Sequence, residues 1–197
     1  MTYKNMPIGT AGQDQNGQPA WTTGNDGEAK IKGVEVELQS SIGKGFTLGN
    51  TDFQFTRVPT VQDCLNKGFP AASCSGFIDI NSSPGRTPRY KLSLDFGYAS
   101  NLKSGSKLAL HYGVSWQDDT YFGANSDPLL QAPAFALHNA RPTWMSPDDT
   151  WEAALFGTNI TNERAITSKL NFLNLFGTVE TTYVRPAEWA LSIKKRC

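Results

Sequence analysis

Residues 90–98 read YKLSLDFGY, and this short stretch decides the fold class because its apolar and polar residues alternate strictly. Tyr90, Leu92, Leu94, Phe96 and Tyr98 occupy every second position. Successive side chains of an extended strand point to opposite faces, so this spacing separates apolar from polar residues. The stretch therefore predicts a β-strand with one apolar face and one hydrated face.

The same alternation recurs elsewhere in the chain. Three other stretches show it with few exceptions: residues 33–39, 108–117 and 189–194. Three noisier stretches are also predicted to be strands: residues 46–57, 135–144 and 151–159. In the first of these the apolar parity switches between Leu48 and Phe53, which predicts a β-bulge near Gly49 and Asn50. A short stretch between Tyr3 and Ile8 is a candidate eighth strand.

The connections between these strands alternate between long and short. The long ones are residues 9–27, 58–88, 118–133 and 160–186, and the short ones are residues 41–45, 100–106 and 145–149. Outer-membrane barrels have short periplasmic turns and longer extracellular loops, because successive hairpins close on opposite sides of the bilayer. The sequence therefore predicts an all-β fold: an antiparallel transmembrane β-barrel segment of about eight strands, with its carboxyl terminus in the periplasm.

Composition excludes several functional classes. The chain has 18 basic and 18 acidic residues, so no overall charge favours nucleic acid. His111 and His138 have no cysteine or carboxylate at metal-ligand spacing, and the common hydrolase and nucleotide-binding motifs are missing. We therefore expect no enzyme activity, no metal site and no cofactor. Two alternatives remain open. One is a small self-contained eight-stranded outer-membrane barrel of structural or adhesive role, and the other is a soluble β-sandwich binding module or enzyme.

The parity of the alternation assigns side chains to the two faces of the barrel wall. The side chains predicted to face lipid are Val34, Val36, Leu92, Leu94, Phe96, Leu110, Tyr112, Leu191 and Ile193. The side chains predicted to face the lumen are Glu35, Glu37, Lys91, Asp95, His111 and Arg141. In a soluble protein the charged set would instead form the solvated face.

Several patches, taken in order, resemble the carboxy-terminal barrel of TonB-dependent outer-membrane receptors. They read NDGEAKIKGVEVE at 25–37, TPRYKL at 87–92, NAR at 139–141, WE at 151–152, NITNE at 159–163 and YVRPAEWALSI at 183–193. The positions that match the family motif in the last two patches are Asn159, Thr161, Asn162, Glu163, Pro186 and Trp189. The chain departs from the family at Cys197, where members usually end in phenylalanine.

The resemblance implies a location and a function. Residues 1–197 would be the carboxy-terminal portion of a barrel of roughly 22 strands in the bacterial outer membrane, with the plug domain and about fourteen earlier strands absent. This portion would contact outer-membrane lipid, the plug and the rest of the barrel, and would reach the TonB complex only through the plug. The implied function is uptake of a scarce nutrient, such as a metal chelate, cobalamin or a glycan. The sequence does not name the small-molecule ligand.

Two cysteines lie in the long connection at residues 58–88. Cys64 and Cys74 are predicted to form a disulfide there, because the connection is assigned to the oxidising outside of the cell. Closing a loop of about ten residues would stabilise the fold by roughly 2 to 3 kcal/mol. Two free thiols are the alternative.

Overall fold

A computed structural model describes residues 2–4, 7–13, 19–25, 28–30, 32–43, 45–57, 85–123 and 127–196. The predicted disulfide between Cys64 and Cys74 lies outside these residues, as does Cys197.

The described chain is almost entirely β-structure. In chain order the strands are β1 (Thr2–Lys4), β2 (Pro7–Gln13), β3 (Pro19–Asn25), β4 (Glu28–Lys30), β5 (Lys32–Gly43), β6 (Phe46–Arg57), β7 (Tyr90–Asn101), β8 (Lys107–Gln117), β9 (Thr120–Tyr121), β10 (Gln131–Ala132), β11 (Phe135–Met145), β12 (Trp151–Thr158), β13 (Ile166–Phe172), β14 (Thr178–Tyr183) and β15 (Glu188–Lys195). A short helix α1 (Leu173–Phe176) and a 3-10 turn (Pro128–Leu130) complete the elements.

Seven of these strands form one antiparallel sheet, which we call the wall. Its strand order is β15-β12-β11-β8-β7-β6-β5, so every predicted strand from residue 33 onward lies in it. Within the described residues β5 and β15 each have a wall neighbour on one side only, so the sheet does not close on itself. The two edges carry unpaired backbone groups, which are able to pair with further strands.

The candidate eighth strand, residues 3–8, is placed differently from the prediction. Its residues fall in β1 and β2, which pair with β4 and β3 and not with a wall strand. The reason is local, because residues 7–13 read PIGTAGQ and carry no apolar stripe that would need a lipid or core environment. The connection predicted at residues 9–27 is therefore largely a hairpin.

Two other long connections also contain paired strands. The connection between β8 and β11 contains the short β9–β10 pair. The connection between β12 and β15 contains the β13–β14 hairpin, which we call the outer hairpin, with α1 at its tip. Pairing satisfies backbone hydrogen bonds that an irregular loop would leave to water.

One irregularity of the wall falls where the sequence predicts it. The register between β6 and β7 shifts between Leu48 and Asp52, which is the position of the predicted β-bulge. At the turn between β5 and β6, Gly45 has φ +83, and a Cβ there would lie 1.9 Å from the carbonyl oxygen of Ala99. Only glycine fits at position 45, because both the positive φ and the nearby carbonyl oxygen of Ala99 exclude a side chain.

The wall has little conventional core. The buried hydrophobic side chains of the described residues are the alanines Ala132, Ala154 and Ala165. Large apolar side chains are instead exposed, with Leu191 at 69% and Ile193 at 64%. Exposed apolar surface on this scale is not tolerated by soluble monomers, so the wall needs an apolar environment on one side.

Candidate functional site: the two faces of the wall and its outer loops

The strand register gathers the large apolar side chains on one side of the wall, which we call the apolar face. Leu94 pairs with Val114, and Phe96 pairs with Tyr112. The register carries this parity across all seven strands, and every residue that we predict to face lipid lies on this face: Val34, Val36, Leu92, Leu94, Phe96, Leu110, Tyr112, Leu191 and Ile193. Their contact with lipid remains a prediction.

Aromatic rings lie toward both ends of the apolar face. At the short-turn end, the rings of Phe46 and Tyr98 are 4.6 Å apart, and Lys195 Nζ lies 5.5 Å from the centre of the Trp151 ring. At the long-loop end, Trp116 stands in β8 and Trp189 in β15. Aromatic rings at two levels are typical of the interfaces of a membrane-spanning wall.

One polar pair interrupts the apolar face. His138 of β11 has the same parity as Tyr112, and its Nδ1 is hydrogen-bonded to the Tyr112 hydroxyl. The bond gives the Tyr112 hydroxyl and His138 Nδ1 a polar partner on a face that is otherwise mostly apolar. A sequence pattern could not have paired these residues, because they lie on separate strands.

The opposite side of the wall, which we call the polar face, carries the charged residues of the alternation. Glu35, Glu37, Lys91, Asp95, His111 and Arg141 all have this parity, since Arg141 pairs with His111 and Asp95 pairs with Gly113. A depression of about 540 Å³ opens near Gln39, Asp95 and His111. The register is consistent with these six side chains facing a lumen, which remains a prediction.

A carboxylate with three cations, the Glu152 cluster, lies on the polar face near the short-turn end. Glu152 is 8% exposed, and one of its oxygens accepts a hydrogen bond from Arg196 Nη2 at 2.6 Å. Arg141 Nη2 lies 3.7 Å and Lys194 Nζ 3.8 Å from its other oxygen. The Arg141 guanidinium also lies 4.6 Å from the centre of the Phe156 ring. The sequence predicted a place on the polar face for Arg141 only, because the cluster depends on the pairing of β11, β12 and β15.

Asn159 joins the outer ends of β12 and β15. Its side-chain amide donates hydrogen bonds to the carbonyl oxygens of Glu163 and Arg185, both at 2.9 Å. Its Oδ1 accepts from the Glu163 backbone N–H at 2.9 Å, and its own N–H donates to Asn139 Oδ1 at 3.0 Å. Asn159 is 6% exposed and has φ 47, a conformation that asparagine tolerates better than most residues. We call these contacts the Asn159 latch.

The other residues of the family motif surround this latch. Asn162 Oδ1 accepts a hydrogen bond from the Ala187 backbone N–H at 3.1 Å. Thr161 and Pro186 are exposed. The Trp189 ring lies over Gly157, where a Cβ would approach the ring to 2.6 Å. The motif therefore fixes how the chain leaves β12 and enters β15.

Side chains tie the outer hairpin to the neighbouring long connection. Lys169 Nζ donates to the Gln131 carbonyl oxygen at 2.7 Å, and Asn171 Nδ2 donates to Asp127 Oδ2 at 2.8 Å. At the tip, Phe176 is 66% exposed. These hydrogen bonds hold the outer hairpin against the neighbouring connection at the long-loop end of the wall, and an apolar side chain is exposed at the tip of the hairpin.

The described residues offer no metal centre and no helical span. No group of three or more histidine, cysteine, aspartate or glutamate side chains is placed to hold a metal ion in the described ranges. Among the helices of those ranges, none is long and apolar enough to cross a membrane.

An antiparallel wall with one apolar face, aromatic rings at both ends and alternating short turns and long connections defines a segment of a transmembrane β-barrel. A family model described as TonB dependent receptor-like, beta-barrel matches residues 1–162, and the chain belongs to this family. The family consists of outer-membrane transporters and not of enzymes. This assignment replaces the soluble β-sandwich alternative.

Three solved receptor structures are similar to this chain in fold. The ferric yersiniabactin uptake receptor FyuA from Yersinia pestis has a TM-score of 0.68 and 15% identity, over 98% of this chain and 25% of that one. The ferric preacinetobactin receptor BauA from Acinetobacter baumannii has a TM-score of 0.61 and 16% identity, over 95% and 25%. The siderophore receptor PiuA from the same species has a TM-score of 0.61 and 18% identity, over 94% and 24%.

This chain therefore spans about a quarter of the length of those receptors. A comparison with curated proteins found no match.

Proposed function

We propose that this chain forms part of the barrel wall and of the extracellular loops of a receptor that takes up a scarce nutrient. The observation that carries the proposal is the two-faced wall: one face is mostly apolar, the other is charged, and at the long-loop end the outer hairpin is hydrogen-bonded to the neighbouring connection. In this proposal the apolar face contacts outer-membrane lipid, the polar face lines the lumen, and the long-loop end faces outward.

The proposed working unit is a complete receptor, in which this chain is joined by the remaining barrel strands and a plug domain. Two features support this. The wall is open at β5 and β15, so further strands are needed to pair both edges. The second feature is the charge of the polar face, which water in the lumen would solvate and the plug would contact. Contact with the TonB complex would run through the plug alone.

Within this proposal the nutrient class is a metal chelate. The support is the likeness in fold to receptors named for ferric yersiniabactin, ferric preacinetobactin and a siderophore. Large chelates are held on many loop surfaces together, and the braced outer hairpin supplies one of these surfaces. Cobalamin and glycans are the alternative classes that an uptake experiment distinguishes.

The test is nutrient uptake by the complete receptor in a strain that lacks its own chelate receptors. We expect labelled iron to enter when it is supplied as a chelate, whereas labelled cobalamin and glycan do not enter above the empty strain. Entry of only cobalamin or only glycan would overturn the chelate assignment. Absence of all three, with the protein folded in the outer membrane, would overturn the transport function.

Two lysine variants separate a contribution of the outer loops from general damage. Lys169→Met removes the brace between the outer hairpin and Gln131, so we expect a raised apparent KM for chelate uptake. Lys107→Met removes an ion pair with Asp149, 2.9 Å, at the short-turn end, and should leave that KM unchanged. Equal effects of the two changes would contradict a specific role of the outer hairpin.

A further inference from the structure

The last strand of the wall ends in three consecutive cations that do not share one face. Lys194 Nζ and Arg196 Nη2 lie 3.8 and 2.6 Å from the carboxylate oxygens of Glu152 on the polar face. Lys195 has the parity of Ile193 and lies on the apolar face. No carboxylate of the described residues forms an ion pair with Lys195. Its positive charge is therefore not balanced within the described part of the chain.

Two exposed tryptophans lie on the apolar face near this lysine. Trp151 is the register partner of Lys195, whose Nζ lies 5.5 Å from the centre of the Trp151 ring, within the range of a cation–π interaction. Trp144 of β11 pairs with Ala153, the residue two positions after Trp151. Neither indole N–H donates a hydrogen bond to another described residue. This corner of the apolar face therefore presents an ammonium group and indole N–H groups that have no acceptor in the described chain.

These donors lie at the level of lipid headgroups in the proposed orientation. Trp151 is the first residue of β12, and Lys195 is the last residue of β15. Trp144 is the residue before the last of β11. Strands of this length cross the apolar layer of the membrane, so their ends at the short turns lie at its periplasmic boundary. Indole rings and a lysine side chain are stable there, because each has an apolar part for the hydrocarbon and a polar part for the headgroups.

Apolar side chains that suit the acyl chains of a lipid adjoin the donors. Ile193 and Leu191 precede Lys195 on the same face of β15, toward the membrane centre, and both are exposed. Leu155 of β12 pairs with Leu191 and is also exposed. A molecule with a phosphate at one end and hydrocarbon chains behind it would therefore contact the donors and the apolar surface together.

We propose that Lys195 and Trp151 bind the phosphate of a glycerophospholipid in the periplasmic leaflet, with the Trp144 ring beside the headgroup. The chemistry is complementary, because phosphate oxygens accept hydrogen bonds from ammonium and indole N–H groups. Phosphatidylglycerol suits the site better than phosphatidylethanolamine, because the ammonium of phosphatidylethanolamine competes with Lys195 for the phosphate. This inference rests on the proposed function, in which the apolar face contacts outer-membrane lipid, and it adds a headgroup site at one place on that face.

The test is native mass spectrometry of the complete receptor, titrated in detergent with phosphatidylglycerol or with phosphatidylethanolamine. We expect the first bound phosphatidylglycerol to have the lower apparent Kd of the two lipids. Lys195→Gln should raise that Kd about five-fold, which is the effect of one basic side chain at an anionic lipid surface. Lys103→Gln is the matched control, because Lys103 is exposed in the turn between β7 and β8 at the same end of the wall. It should leave the Kd unchanged.

Two further variants and one competitor examine the chemistry of the site. Lys195→Arg keeps the positive charge and should bind phosphatidylglycerol as the parent receptor does. Trp151→Leu keeps an apolar side chain but removes the ring and its N–H, so it should also raise the Kd. Excess inorganic phosphate should not displace the lipid, and displacement would overturn the lipid assignment in favour of a free phosphate site. Equal Kd values for the parent, Lys195→Gln and Lys103→Gln receptors would overturn the headgroup site.

Failure of this inference is separable from failure of the proposed function. Membrane insertion and chelate uptake are measured on the same variants, and Lys195→Gln should transport chelate as the parent does, because Lys195 lies away from the polar face and the long-loop end. A receptor that transports its chelate, and whose lipid binding is the same with and without Lys195, would refute the headgroup site and leave the transport function standing. Lipid binding that depends on Lys195, in a folded receptor that transports nothing, would refute the transport function alone.

Discussion

Replacement of Leu94 by arginine tests the assignment of the two faces most directly. Leu94 lies in β7 on the apolar face, opposite Val114. Its neighbour Ser93 lies at nearly the same depth on the polar face, opposite Ser115. The pair of variants Leu94→Arg and Ser93→Arg therefore places the same charge on opposite faces at one level of the wall.

The magnitude follows from the position of Leu94 along its strand. It is the fifth residue of the twelve in β7, about 1.5 residues from the strand midpoint. At about 3.4 Å per residue and a tilt of about 40°, this is about 4 Å from the membrane midplane. An arginine near the midplane costs about 2 to 4 kcal/mol, which lowers the folding equilibrium constant by about 30- to 700-fold. The polar-face variant should cost only about 0.5 kcal/mol.

The assay is reversible folding of the complete receptor into phosphatidylcholine vesicles, with guanidinium titration followed by tryptophan fluorescence. Leu94→Ala serves as the control that removes the apolar side chain without adding charge. Equal losses for Leu94→Arg and Ser93→Arg would refute the assignment of the apolar face to lipid. A larger loss at Ser93 would reverse the two faces.

Three other perturbations follow from the described contacts. Asn159→Gly keeps the backbone conformation but removes the latch, so we expect a loss of about 2 to 3 kcal/mol and faster limited proteolysis of the outer hairpin; unchanged proteolysis would contradict the latch. Hydrogen bonds from Ser146 and then Thr150 lower the pKa of Asp148 from 3.8 to about 2, so its contribution to stability is complete above about pH 4 and is lost as the pH falls through about 2. Ser146→Ala should return this pKa toward 3.8 in an NMR titration of labelled aspartate, and an unmoved pKa would rule out the hydroxyl as the main cause. Gly157→Val should displace the Trp189 ring and shift its fluorescence, whereas an unaltered spectrum would contradict the close packing at this position.

The sequence was sufficient for the strands of the wall and for their two faces. Period-two alternation is written in consecutive residues, so a stretch such as 90–98 reveals its strand and its parity without knowledge of its partners. The bulge near Gly49 was visible for the same reason, because a change of parity is a local signal. The family motif was also recognisable from its order of residues. The hydrogen bonds of Asn159, which explain the motif, could not be predicted from that order.

Pairing inside the long connections was not predicted. Residues 7–13 and 166–172 carry no strict apolar alternation, yet they form β2 and β13 because a neighbouring segment satisfies their backbone hydrogen bonds. Strand formation there depends on the partner and on the loops around it. An alternating pattern occurs only in strands whose two faces lie in different environments, so strands without such a difference are not predicted from it.

What the sequence pattern by itself determined is therefore the set of wall strands, their two faces and the alternation of long and short connections, whereas the soluble β-sandwich stayed open until the family match. Only the tertiary structure decided where charges converge. The Glu152 cluster draws on three separate segments of the chain, which contribute Arg141, Glu152, and Lys194 with Arg196, and its contacts depend on the register of β11, β12 and β15. The physical reason is that a strand's faces depend on consecutive residues, whereas a cluster across strands depends on pairing between residues distant in the sequence.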